Sequence, residues 1–178
     1  MNIDYYKKIT TYVFTDGASK YNKRGSSKTR GGIGVFFGNN DKRNISQPFL
    51  LENPTNNRCE LYAIIAAIEI FLKYKKGKKK EQLIIYTDSQ HTINCLSKWI
   101  YNWRKTGWKK KDGKQVLNKD LLYWADKLIS NNKNKILVNY KHIKAHRNPP
   151  KNKLSKSYKL WYGNFMADKL AKKNIKSY

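Results

Sequence analysis

Apolar and polar positions along this chain follow two periods, and the changes between them outline nine elements. Thr11-Tyr12-Val13-Phe14-Thr15 is a β-branched and aromatic run closed by Asp16, so it predicts a strand with that acid as its last residue. Gly17 to Arg30 is rich in Gly, Ser and Lys and predicts a turn, after which Ile33, Val35 and Phe37 alternate as a second strand. Ile45 to Leu51 predicts a weaker third strand, confined to an edge or bulge by Pro48. From Asn56 to Lys75 the period changes: Leu61, Ile64, Ile65, Ile68 and Leu72 recur every three or four residues, as on a helix packed against a sheet. Leu83 to Thr87 returns to strand character and is closed by Asp88. Ser89 is placed to cap a helix through Ile93, Leu96 and Trp99. Asn118 is placed to cap another, with Leu121, Leu122, Ala125, Leu128 and Ile129 inward. Ile136 to Ile143 predicts a strand and Met166 to Lys173 a terminal helix.

Three strands, a helix, a strand, two helices, a strand and a helix form an antiparallel meander joined to parallel crossover units. The expected class is α/β, a five-stranded mixed sheet with helices on both faces. All 178 residues fit one domain, and no internal repeat divides them. Cys59 and Cys95 form no C-x-x-C or Cys/His array, so neither a zinc site nor a disulfide framework is indicated. No stretch reads as a secretory signal or membrane span, which predicts a soluble intracellular protein, expected to be monomeric.

Charge alters this picture. With 38 Lys+Arg against 12 Asp+Glu, the formal charge of +26 creates a field that attracts a polyanion, nucleic acid foremost. Lys- and Asn-rich composition also follows from an AT-rich genome, such as that of a large DNA virus. Against so basic a background, the positions of four acids carry information. Asp16 and Asp88 end strands that would pair as neighbours, Glu60 lies in the first turn of the first helix, and Asp168 lies near the start of the last. Taken singly, each reads as a surface charge, a cap or a lysine partner. Together they suit Mg²⁺, which takes oxygen ligands and completes its shell with water and phosphate. Two such ions can activate water on one side of a phosphodiester and stabilise the leaving oxygen on the other, the chemistry of a nuclease. Mn²⁺ is an admissible substitute, and no small-molecule cofactor is indicated.

Four segments then resemble the ribonuclease H family, specifically its cellular type 1 members. They are Thr15-Asp16-Gly17-Ala18, Thr55-Asn56-Asn57-Arg58-Cys59-Glu60-Leu61, Tyr86-Thr87-Asp88-Ser89 and Gly163-Asn164-Phe165-Met166-Ala167-Asp168. Trp99, Trp103-Arg104-Lys105-Thr106-Gly107-Trp108 and Asn118-Lys119-Asp120 extend the resemblance, which runs from about Tyr12 to Ala171. It implies an endoribonuclease that cuts the RNA of RNA–DNA hybrids by two-metal catalysis, leaving 5′-phosphate and 3′-hydroxyl ends. A non-catalytic binding module for hybrid or double-stranded RNA, and a domain derived from a reverse transcriptase, are the alternatives.

The resemblance also assigns roles. Asp16, Glu60, Asp88 and Asp168 would hold metal. Asn22, Asn56 and Asn57 would meet ribose 2′-hydroxyls, the groups by which RNA is told from DNA. Thr55 and Asn118 match positions that grip a DNA phosphate. Trp99, Trp103, Arg104, Lys105, Lys109, Lys110 and Lys111 fall in what resembles the family's basic protrusion, here residues 99–119, whose cations and aromatic faces would hold the DNA strand. His146 matches a loop histidine that assists near the leaving group or in product release, completing the expected catalytic set, while His142 is expected to be a plain strand residue. The expected departure is an extended loop over 147–162, where the cellular enzymes have a short link. The stretch before Tyr12 is expected to be too short for the separate N-terminal hybrid-binding domain of many eukaryotic members.

Overall fold

A computed structural model of the chain describes residues 9–20, 29–145, 147–173 and 175. Strands β1 (Thr10–Lys20), β2 (Arg30–Phe36) and β3 (Ile45–Pro48) form the antiparallel meander. Strand β4 (Glu81–Thr87) adds parallel to β1, and β5 (Ile136–His142) adds parallel to β4. The resulting order is β3-β2-β1-β4-β5, a five-stranded mixed sheet as the pattern predicted. Pro48 ends the edge strand, where its missing N–H leaves no ladder bond unmade.

Helix α1 (Asn56–Tyr74) crosses one face of β1 and β2. Its start is fixed by Thr55, whose Oγ1 accepts the Arg58 N–H at 3.3 Å. Helix α4 (Lys119–Asn131) packs on α1, so α1 is buried on two sides. That explains its broad apolar surface, from Cys59 and Leu61 through Ile64, Ile65 and Ile68 to Phe71. Cys59 and Cys95 are free thiols in this core, and burial pushes them up to about 12 and about 11, leaving both unreactive.

The opposite face carries α5 (Lys156–Lys173), packed on β1, β2 and β3. The two helices approach through glycines of neighbouring strands. A Cβ on Gly17 would lie 2.2 Å from Cys59 C and Glu60 N, and one on Gly34 would lie 2.1 Å from Ala167 O. Only hydrogen fits at either point, which sets how closely α1 and α5 bracket the sheet.

Several boundaries differ from the sequence prediction. Strand β1 continues to Lys20, paired with β2 throughout, so Asp16 lies inside the strand rather than at its end. The segment after Asp88 is one continuous helical run made of α2 (Gln90–Asn94), a π-helical turn (Cys95–Trp99) and α3 (Ile100–Lys105). Ser89 caps it as predicted, accepting the Thr92 N–H. Asn118 precedes α4 in the left-handed region, with φ 59°, and its side chain makes no capping bond, so that expectation fails. The largest correction concerns the extended loop over 147–162: residues from Lys156 onward are helix, and only 147–155 connect. Ser155 starts α5 by accepting the Tyr158 N–H on Oγ at 3.1 Å. Among the described residues, no helix is long and apolar enough to cross a membrane.

Candidate active site

Glu60 comes from the first turn of α1, where the missing side chain of Gly17 lets the helix lie against β1. Asp16 comes from β1 and Asp88 from the residue after β4, the parallel neighbour of β1. One carboxylate oxygen from each of the three lies within 4.8 Å of the others. Asp16 and Glu60 are only 6% and 7% exposed, and none of the three forms an ion pair among the described residues.

Such crowding shifts protonation. Burial pushes the Asp16 carboxyl up to about 7, opposed by its hydrogen bond from Glu60 and reinforced by the charges of Asp88 and Asp168. Burial also holds Glu60 well above the usual carboxylate range, with the charge of Asp16, its hydrogen bond to Asp16 and the charge of Asp88 adding to it. The two acids titrate as a coupled pair, both held above the usual carboxylate range. Gly17 N–H donates to Asp16 Oδ1 at 2.8 Å, and Thr87 Oγ1 donates to Glu60 Oε2 at 3.3 Å. These neutral donors orient the acids without neutralising them.

Asp168 lies on the same side as Asp16, close enough to raise it, but outside the tight group of three. It pairs with Lys172 one turn on, at 2.6 Å. Sequence reasoning missed two neighbours of Asp88. Asn164 Nδ2 donates to Asp88 Oδ2 at 3.4 Å, while its buried Oδ1 has no partner among the described residues. His142, expected to be a plain strand residue, puts Nε2 at 3.1 Å from the Asp88 carbonyl oxygen. The G-N-x-x-A-D run signalled Asn164, whereas His142 is located by the Thr87–His142 register of β4 and β5.

The residues expected to touch substrate are placed unevenly. Asn22 and His146 lie outside the described residues. Asn56 and Asn57 are exposed at the start of α1, and Asn56 Oδ1 accepts both the backbone N–H and the hydroxyl of Ser19, leaving its amide group to donate outward. Thr55 and Asn118 precede the first turns of α1 and α4, which Arg58 joins by a two-pronged bond to Asp120 at 2.8 and 2.5 Å. Two helix starts side by side offer unpaired N–H groups suited to an anion.

Trp99 is 40% exposed and edge-on to both His91 and Trp103, whereas Trp108 is buried against Tyr123. Lys105, Lys109, Lys110 and Lys111 are exposed on and beyond α3, around a turn closed by Gly113 N–H on Lys110 O at 3.0 Å. Arg104 is occupied: it pairs with Asp126 of α4 and anchors the protrusion.

The three clustered acids fit a divalent cation. They form an all-oxygen donor set, are crowded enough to retain a proton without one, and among the described residues pair with no lysine or arginine in a chain of +26. An open site of this kind could orient a phosphodiester for attack.

The RNase H family model matches residues 8–176. Ribonuclease H of Schizosaccharomyces pombe is 36% identical over 161 residues, which make up 90% of this chain and 51% of that protein. Ribonuclease HI of Haemophilus ducreyi is 34% identical over 135 residues, 75% of this chain and 77% of that protein. The solution structure of the PFV RNase H domain matches in fold, with a TM-score of 0.66, 20% identity and 94% of each chain covered. This chain spans about half the length of the Schizosaccharomyces pombe and human relatives. With a family match along nearly the whole sequence and more than 30% identity to bacterial and eukaryotic members, the chain belongs to the ribonuclease H family and stands with its type 1 members.

Proposed function

We propose that this chain is an endonuclease that hydrolyses the RNA strand of RNA–DNA hybrids, leaving 5′-phosphate and 3′-hydroxyl ends. The observation that carries the reading is the cluster of Asp16, Glu60 and Asp88 at one end of the sheet, paired with no cation among the described residues of a strongly basic chain. Asp16, Glu60, Asp88 and Asp168 would hold two Mg²⁺ ions, which when bound supply an activated water and charge stabilisation at the leaving oxygen. Asn164 steadies Asp88 by the hydrogen bond its Nδ2 donates, and Thr87 and Gly17 fix the directions of Glu60 and Asp16. The exposed Asn56 and Asn57, with Asn22, meet successive 2′-hydroxyls and so select RNA on one strand. Thr55 and Asn118 take a phosphate of the DNA strand between the starts of α1 and α4. Trp99, Trp103, Lys105, Lys109, Lys110 and Lys111 carry that strand onward over the protrusion, held in place by Arg104. His146 assists departure of the product.

A labelled hybrid incubated with Mg²⁺ tests this directly. The chain should cut the RNA strand and spare duplex DNA. Asp88→Asn should slow cleavage at least about a thousandfold, roughly 4 kcal/mol of transition-state stabilisation, while hybrid binding largely survives. Cleavage that persists in EDTA, or in Asp88→Asn, overturns the assignment.

A further inference from the structure

The first two turns of α5, where a loop was expected, build a feature beside the carboxylates. Tyr162 faces the sheet, edge-on to Phe36, with its hydroxyl donating to Asn39 Oδ1 at 3.1 Å. Trp161 and Phe165 stack on each other along the helix, with ring centroids 5.3 Å apart and planes 13° from parallel. Trp161 Nε1–H donates to Arg147 O at 2.8 Å, which ties the connection after β5 across from the helix. Between these walls lies a cavity of about 760 Å³. Lys144, Arg147, Trp161 and Phe165 line it, together with Asp88 and Asp168.

We propose that this cavity is a subsite for one unpaired nucleotide of the strand that is cut, its base stacked on Phe165 over Trp161 and its phosphate met by Lys144 and Arg147. The inference rests on the ribonuclease H reading and deepens it, because the cavity opens beside the acids that would take the scissile phosphate. Three observations converge on a nucleotide. Phe165 is 46% exposed although it stacks on Trp161, which leaves ring surface open to a base. Lys144 and Arg147 are both exposed and answer a phosphate. The volume lies within the range that holds small-molecule ligands. A base within a continuous hybrid already stacks on its neighbours, so the subsite serves the point where pairing stops. Hybrids whose RNA continues as a single strand should therefore be preferred over blunt ones.

The test compares affinities of the full chain carrying Asp88→Asn, with Mg²⁺, for three hybrids: blunt, extended by a short single-stranded RNA segment, and extended by the same segment without bases. The 5′ and 3′ extensions are measured separately. One base stacked on an aromatic ring gives on the order of a tenfold gain. That gain is expected from one polarity only and from the base-bearing extension only. Phe165→Ala and Phe165→Leu should abolish the ratio of extended to blunt affinity, and Phe165→Trp should keep it. An equal gain from the abasic extension assigns the effect to net charge and overturns the subsite, as does a ratio that survives Phe165→Ala. If the unsubstituted chain cuts blunt hybrid while the extension changes nothing, the subsite alone falls. If it neither binds nor cuts blunt hybrid, the underlying reading falls and takes the subsite with it.

Discussion

Asp16 and Glu60 work against the fold that holds them. In the unfolded chain Asp16 titrates near ~3.9, and in the metal-free fold burial and its acidic neighbours push it up to about 7. Between those values the folded state keeps a proton that the unfolded state has lost. The contribution of the group to stability is therefore fully present at low pH and declines as pH rises from about 4 to about 7. Glu60, shifted in the same direction, deepens the decline. In EDTA, the melting temperature of the native sequence should fall from pH 5 to pH 8 relative to Asp16→Asn, in which the crowding is relieved. Mg²⁺ should restore the native protein more at pH 8 than at pH 5, since binding must displace the retained proton. Melting curves across pH, with and without Mg²⁺, check this. Parallel curves for the two proteins would show that the acids do not strain one another.

At the scale of elements, the site depends on how closely α1 passes β1. Gly17→Ala puts a methyl 2.2 Å from backbone atoms of Cys59 and Glu60, which cannot rotate away. It should cost about 1–3 kcal/mol or more and move Glu60, so hybrid cleavage should fall further than denaturant midpoints alone explain. Gly77→Ala, whose Cβ meets only Glu81 Oε1 at 3.6 Å, should be nearly silent in both measurements. The contrast identifies what sequence could and could not reveal. Strands and α1 were legible because they bury large side chains at regular spacing, and Asp16, Glu60 and Asp88 were legible through their places on those elements. The first half of α5 was not, because the only residues it buries are Gly163 and Asn164, which leave no hydrophobic stripe. The aromatic spacing of Tyr158, Trp161, Tyr162 and Phe165 was the available signal. His142 was hidden for another reason: its contact with Asp88 exists only through the register of β5 on β4, which no local pattern encodes. Asn118 stood at the right boundary, yet its backbone is left-handed and its side chain makes no capping bond.

Over the whole molecule, the distribution of +26 matters more than its size. Arg58 and Arg104 are committed to Asp120 and Asp126, so they brace α1 and α3 against α4, Arg58 largely covered and Arg104 still 43% exposed. Apart from the paired Arg104, the exposed cations of the protrusion are lysines, and contact with phosphate releases condensed counterions only where they reach the backbone. A charge more than a Debye length away, about 8–10 Å at physiological salt, adds little. Two triple substitutions separate contact from general field. Lys109, Lys110 and Lys111 lie beyond α3, whereas Lys76, Lys78 and Lys80 are exposed between the end of α1 and the start of β4, at the opposite end of the sheet from Asp88. Replacing either set with Ala removes the same charge. The first should weaken hybrid binding and flatten the plot of log K against log salt by about 0.7–0.9 per lost phosphate contact. The second should leave the slope near that of the native chain. Turnover at saturating hybrid should change little in either, because neither set touches the carboxylates. Equal slopes for the two variants would mean that the protrusion attracts hybrid only through net charge, and that the DNA strand follows another path across the molecule.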